Sequence, residues 1–114
     1  MIGCAIEVHR ELGPGLLEST YEQCLAHELS LKSIPFELQK AMPGEDNGVQ
    51  INCGYRLDLL VNGNIVVELK AVAAIEPIHE AQLLTYLKLA RVKAGLLINF
   101  NVRLLKDGIQ RFVL

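Results

Sequence analysis

The chain has 114 residues, of which 51% are apolar and 5% aromatic, and its mean hydropathy is +0.29. This length predicts a single domain over residues 1–114, and the apolar content excludes an intrinsically disordered chain. Eleven basic and 13 acidic residues give a formal net charge of −2, so a uniformly basic nucleic-acid-binding protein is not indicated.

The charges are distributed unevenly along the chain. Residues 1–87 hold 12 acidic and 5 basic residues, whereas residues 88–114 hold 6 basic residues and one acidic residue, Asp107. The net charge of the whole chain therefore says little about binding partners, and the charge of each segment must be considered separately.

The sequence carries no sign of a membrane or of an oxidising compartment. No run approaches the roughly 18 apolar residues that span a bilayer, and the N-terminus lacks the pattern of a signal peptide. Three cysteines, Cys4, Cys24 and Cys53, without CxxC spacing disfavour a disulfide framework or a zinc site. We therefore expect a cytoplasmic protein without a membrane partner.

Three helices are predicted from apolar periodicity and from the residues that end or begin helices. The first spans residues 1–12 and ends at Gly13-Pro14-Gly15. The second spans residues 17–32, where apolar residues recur at helical spacing. The third begins at Pro77, a residue favoured at the first helical position, and ends near Arg91.

The remaining apolar segments are predicted strands, separated by turns. They cover residues 36–42, 49–53, 55–61, 65–72, 94–100 and 109–113, with turns at 43–48 and at Asp107-Gly108. The near-continuous apolar run at 94–100 is typical of a strand buried on both faces. A strand–helix–strand crossover beside an antiparallel hairpin predicts an α+β mixed sheet with helices packed on it.

The hairpin between the strands at 55–61 and 65–72 decides whether two acidic residues meet. A two-residue turn at Asn62-Gly63 would place Asp58 and Glu68 on opposite faces, whereas a three-residue loop ending at Asn64 places them directly opposite each other. We predict the three-residue loop, because Asn64 tolerates the left-handed conformation that such loops require at the third residue.

Two opposed carboxylates repel each other unless a cation lies between them. Oxygen ligands suit Mg²⁺ or Mn²⁺, and Lys70 shares a strand face with Glu68. Such a set of groups is suited to metal-assisted phosphodiester hydrolysis. The alternative is a solvent-facing salt bridge on an edge strand.

These residues resemble a known family. Asp58 followed by Glu68-Leu69-Lys70 resembles the D…(D/E)xK core of the PD-(D/E)XK nuclease superfamily, although Leu57 replaces the usual proline. Residues 15–21 read GxxExxY in full, and residues 9–15, 54–58 and 95–100 also resemble the bacterial GxxExxY proteins. The resemblance extends from about residue 3 to the C-terminus.

The resemblance implies a restriction-endonuclease-like αβββαβ core with flanking helices. It implies that Asp58, Glu68 and the Leu69 carbonyl hold the metal, that Lys70 is catalytic, and that Glu18 is an additional acidic residue of the site. Gln82 and Tyr86 resemble a QxxxY motif and, four residues apart, share one helix face. Family members usually begin earlier, which implies that the front of the first helix precedes Met1.

We therefore expect a nuclease-like domain that acts on DNA or RNA with Mg²⁺ or Mn²⁺. Basic residues are expected to contact the nucleic acid, namely Arg56, Lys88, Arg91 and Lys93. The alternative is a catalytically inactive module of the same fold that binds nucleic acid or a partner protein, and an apolar face could support a homodimer.

Overall fold

The structure is a computed structural model that describes the backbone of residues 1–46 and 49–114, and the side chains of residues 1–41 and 56–114. The described residues form nine elements in chain order: α1 (Ile2–Leu12), α2 (Glu18–Leu31), β1 (Phe36–Asp46), β2 (Val49–Val61), β3 (Ile65–Lys70), α3 (Pro77–Ala90), β4 (Ala94–Asn99), a 3₁₀ helix (Leu105–Gly108) and β5 (Ile109–Val113). The three predicted helices are confirmed, each to within one or two residues.

The strands form one sheet in the order β1-β2-β3-β4-β5. β3 and β4 are parallel and are joined through α3, whereas the other neighbouring pairs are antiparallel. The predicted mixed sheet is therefore confirmed. β4 is buried nearly throughout, as its continuous apolar run indicates.

The first hairpin is longer than predicted. Residues 44–46 pair with residues 49–51 of β2, so the turn predicted at 43–48 is wrong for its first four residues, and residues 47–48 lie outside the described part. A register shift between Met42 and Gly44 accommodates Pro43, which has no N–H to donate to a ladder. The strands predicted at 49–53 and 55–61 are one strand, β2.

β3 ends two residues earlier than predicted, because the buried side chain of Asn99 binds the chain that leaves it. The Val72 N–H donates to Asn99 Oδ1 at 3.1 Å, and Asn99 Nδ2 donates to the Val72 carbonyl at 3.0 Å. The side-chain amide thus replaces the backbone ladder after Lys70 and fixes the direction in which the chain leaves the sheet.

Helices cover both faces of the sheet. α1 and α2 pack on one face around Tyr21, which stacks on Phe100 with ring centroids 4.5 Å apart. α3 packs on the other face through Leu83 and Leu87. Cys4 is a buried thiol of the first core, as expected of a small apolar residue. Among the described residues, no helix is long and apolar enough to cross a membrane.

The loop between α1 and α2 is held by the hydroxyl of Tyr21. This hydroxyl donates to the Gly13 carbonyl at 2.6 Å and accepts from the Leu16 N–H at 3.1 Å. Gly15 has a φ of +95°, a conformation that side chains rarely adopt. The glycine and the tyrosine of the GxxExxY segment therefore shape the loop from which Glu18 starts α2.

The substitution Tyr21→Phe keeps the stacked ring but removes both hydrogen bonds. We expect the free energy of unfolding to fall by about 1–3 kcal/mol, because the Leu16 N–H loses its partner. Urea denaturation measures this change, with Thr85→Ala on exposed α3 as a control of small effect. An unchanged urea midpoint for Tyr21→Phe would contradict this role of the hydroxyl.

Candidate active site

The β2–β3 hairpin has the predicted three-residue loop. Val61 pairs with Ile65, and the register continues to Leu59 opposite Val67, which places Asp58 opposite Glu68. The prediction that Asn64 is left-handed is wrong. The left-handed residues are Asn62 and Gly63, at φ 54° and 68°, because the loop closes with a hydrogen bond from Asn64 N–H to the Val61 carbonyl.

Two carboxylates occupy the place where the β2–β3 ladder stops. Beyond Leu59 and Val67, the Asp58 N–H donates to Glu68 Oε1 at 3.1 Å, and the Leu69 N–H donates to Asp58 Oδ2 at 2.9 Å. Each carboxylate therefore accepts a bond from the backbone of the other strand. The two acidic side chains lie together in the gap between β2 and β3.

This arrangement is electrostatically costly for Glu68. Its side chain is only 6% exposed, and burial, together with the neighbouring Asp58 carboxylate, raises the pKa of Glu68 from 4.5 to about 9. The Asp58 N–H bond and the Lys70 ammonium lower this pKa in part. At neutral pH the pair therefore holds a proton in the absence of another cation.

The backbone carbonyl of Leu69 points toward the same gap. The Lys70 carbonyl accepts a hydrogen bond from the Phe100 N–H at the end of β4, at 2.8 Å. Successive residues of a strand direct their backbone groups to alternate sides, so the Leu69 N–H and carbonyl both face β2. The Leu69 N–H bond to Asp58 agrees with this direction.

These groups fit a hard divalent cation. Asp58, Glu68 and the Leu69 carbonyl offer only oxygen donors, and burial beside the Asp58 carboxylate raises the pKa of Glu68 despite the Lys70 ammonium. The described residues contain no group of three or more Asp, Glu, His or Cys side chains placed to hold a metal. The protein ligands would therefore be the two carboxylates and the carbonyl, with water or substrate completing the coordination.

Lys70 is the last residue of β3 and is half-buried. It lies two residues beyond Glu68, and the alternation of the strand places both side chains on one face. Asn99 pairs with Lys70 across the parallel β3–β4 ladder and binds Val72. Asn99 therefore fixes the backbone around Lys70, a role that sequence analysis did not assign.

Gln39 and Glu22 form a second link to Asp58 that the sequence analysis missed. Gln39 Nε2 donates to Glu22 Oε1 at 2.7 Å and to Asp58 Oδ1 at 3.4 Å. Gln39 also has a left-handed φ of 47° inside β1, at the position opposite Asp58. The sequence held one signal for the part that Glu22 takes in this link. Glu22 follows Glu18 at helical spacing, which places the two residues on neighbouring turns of α2.

The other predicted catalytic residues lie on the helices α2 and α3. Glu18 is exposed at the start of α2 and, within the described residues, has no hydrogen bond to Asp58 or Glu68. Gln82 is exposed on α3, and Tyr86 is half-buried against the core beneath that helix. Their catalytic roles stay predictions.

The predicted nucleic-acid contacts fall at two ends of the sheet. Arg56 is exposed two residues before Asp58, at the carboxylate end. Lys88, Arg91 and Lys93 are exposed at the opposite end, where Ala94 pairs with Ile65. Ile65 and Lys70 are separated by about 17 Å at a rise of about 3.3 Å per residue. The three residues stay predicted contacts, but they lie remote from the carboxylates.

The fold and this site define a mixed α+β domain with paired carboxylates at a strand junction. The chain matches the family model of the PD-(D/E)XK nuclease superfamily over residues 1–112, and it belongs to that superfamily. The five-stranded sheet and three helices that its described residues form are consistent with the expected restriction-endonuclease-like fold. Comparisons with curated proteins and with solved structures gave no significant match.

The raised pKa of Glu68 predicts how stability depends on pH in the presence of a chelator. The folded state binds more protons than the unfolded state between pH 4.5 and about 9. The free energy of unfolding therefore falls as pH rises through this window, by at most about 1.4 kcal/mol per pH unit. Urea denaturation at several pH values measures this slope.

The substitution Glu68→Gln supplies the decisive comparison, because glutamine stays neutral at every pH. We expect this variant to lose most of the slope, whereas Glu80→Gln, at a half-buried position of α3, keeps it. A Glu68→Gln protein with the slope of the unmodified chain would show that another group causes the dependence.

Proposed function

We propose that this chain is a metal-dependent nuclease domain that hydrolyses phosphodiester bonds of DNA or RNA. The observation that carries the proposal is the reciprocal bonding of Asp58 and Glu68 where β2 and β3 part, with Lys70 two residues beyond. Membership of the PD-(D/E)XK nuclease superfamily supports it. The GxxExxY segment supports assignment to the GxxExxY proteins within that superfamily.

Asp58, Glu68 and the Leu69 carbonyl would hold Mg²⁺ or Mn²⁺. A divalent ion bound there supplies Lewis acidity toward a phosphodiester and lowers the pKa of a water. The protein prepares the ligands in advance, because the Leu69 N–H fixes one oxygen of Asp58 and the Asp58 N–H fixes one oxygen of Glu68. Binding therefore requires little rearrangement of the backbone.

Lys70 would stabilise the negative charge that develops on the phosphate during hydrolysis. Its position at the end of β3 is fixed by the hydrogen bond from the Phe100 N–H to the Lys70 carbonyl. Two residues later, the bond from the Val72 N–H to Asn99 fixes the chain again. We assign Glu18 to the same acidic end and assign Gln82 and Tyr86, on neighbouring turns of α3, to contacts with the substrate or with the attacking water. Gln39 would orient the outer oxygen of Asp58.

The proposal predicts cleavage of labelled DNA or RNA in the presence of Mg²⁺ or Mn²⁺, and none in a chelator. Asp58→Asn and Lys70→Met should each reduce the cleavage rate by on the order of 100-fold or more, because the first weakens the metal site and the second removes the cation that stabilises the phosphate. Single-stranded and double-stranded substrates of both kinds are tested in parallel by gel electrophoresis.

Matched controls are Asp107→Asn and Lys32→Met, which make the same chemical changes at exposed positions outside the site. Both should cleave like the unmodified chain. Cleavage that survives Asp58→Asn and Lys70→Met would contradict the assigned site. A chain that binds nucleic acid but cleaves none of the substrates would instead indicate the inactive module of the same fold.

A further inference from the structure

A pocket of about 560 Å³ lies between the end of α1 and the segment that joins β4 to β5. That segment begins beside the end of β3, since the Phe100 N–H donates to the Lys70 carbonyl and Asn101 Nδ2 donates to the Val72 carbonyl at 3.3 Å. The pocket is therefore at the same end of the sheet as Lys70.

The pocket is positively charged. Arg10, Arg103 and Lys106 line it, and none of the described residues that line it is acidic. Arg10 forms an ion pair with Glu7 at 3.2 Å, but both side chains are well exposed, so this pair holds the guanidinium only weakly. Arg103 and Lys106 are exposed. Three cations are therefore available to one anionic ligand.

The remaining lining of the pocket is apolar and well fixed. Ile6, Leu104 and Leu105 contribute apolar surface. Buried His9 donates from Nε2 to the Val102 carbonyl at 2.7 Å, which ties the segment after β4 to α1. Gly108 lies so close to the Asn99 carbonyl that a side chain there would collide with it. Arg103 and Lys106 are thus carried by a packed segment, and Arg10 by α1, the helix to which that segment is tied.

We propose that this pocket, at the same end of the sheet as Lys70, binds a backbone phosphate of the nucleic-acid strand. The inference rests on the proposed nuclease function. Arginine and lysine bind phosphate oxygens, and the apolar floor suits the adjoining sugar or base. The volume lies within the range of small-ligand sites, about 300–1,000 Å³, so one nucleotide unit fits.

The position of the pocket shows which basic residues of the C-terminal segment lie near Lys70. Of the basic residues of 88–114, Arg103 and Lys106 lie at the Lys70 end, whereas Lys88, Arg91 and Lys93 lie at the far end. A strand that passes Asp58 and Glu68 can meet Arg103 and Lys106 without extending along the whole sheet. These two residues therefore carry the proposal.

The test measures binding of labelled single-stranded DNA and RNA by fluorescence anisotropy in a chelator, over a series of salt concentrations. Arg103→Ala with Lys106→Ala should weaken binding at least tenfold and reduce the salt slope by about 0.7, the value for one phosphate neutralised on a single strand. The matched control, Lys32→Ala with Arg111→Ala, removes the same charges at exposed positions and should bind like the unmodified chain.

A charge-conserving variant, Arg103→Lys with Lys106→Arg, should restore binding to within a few-fold, and thermal unfolding verifies that each variant is folded. Unchanged binding by the double-alanine variant would overturn the pocket and leave the nuclease proposal intact. An equal loss of binding in the matched control would also overturn the pocket. Displacement of the oligonucleotide by inorganic phosphate at the same concentration as the oligonucleotide would do so as well. No binding by the unmodified chain in the chelator would overturn the pocket, whereas pocket-dependent binding without cleavage in Mn²⁺ would overturn the nuclease alone.

Discussion

The site depends on one exchange of hydrogen bonds. Where the β2–β3 ladder ends, the Asp58 N–H donates to Glu68 and the Leu69 N–H donates to Asp58. Side-chain carboxylates thereby take the place of backbone carbonyls, and two strands that would otherwise continue side by side part at this point. The exchange brings two acidic groups together in a place where Glu68 is almost fully buried. Burial of an uncompensated charge is costly, so the folded protein holds a proton there or requires a cation.

The surrounding structure can be understood as support for that junction. The three-residue hairpin loop sets the register that places Asp58 opposite Glu68. On the other side of β3, Asn99 and Phe100 fix the backbone at and after Lys70. Tyr21 shapes the loop that leads into α2, and Gln39 joins that helix to Asp58 through Glu22. The carboxylate end of the sheet is therefore held by α2 on one face and by the neighbouring strands β1 and β4.

Much of this could be predicted from local patterns in the sequence. Apolar periodicity and the residues that begin or end helices located the three predicted helices, and the buried run at 94–100 located β4. The register of the hairpin followed from the loop length that Asn62-Gly63-Asn64 favours, although the loop reaches it with Asn62 and Gly63 left-handed. These features depend on residues that are close together in the chain, so they can be predicted from local patterns in one sequence.

Other features depend on contacts between distant residues and could not be predicted in this way. The shortened end of β3 results from Asn99, 27 positions beyond Val72. The extension of β1 through Asp46 requires pairing that overrides a segment rich in turn-forming residues. The link from Glu22 through Gln39 to Asp58 joins three elements, and the left-handed φ of Gln39 has no local signature. The separation of the basic residues between two ends of the sheet is visible only in the folded chain.

The central claim is that Asp58 and Glu68 form a cation site, and a crystal structure of the protein soaked in Mn²⁺ tests it most directly. We expect one anomalous peak in the gap between β2 and β3, with both carboxylates and the Leu69 carbonyl as ligands. Absence of the peak in crystals of Glu68→Gln, grown and soaked in the same way, would be the matching control. An empty gap in the unmodified protein, with the reciprocal hydrogen bonds of Asp58 and Glu68 unchanged, would contradict the account.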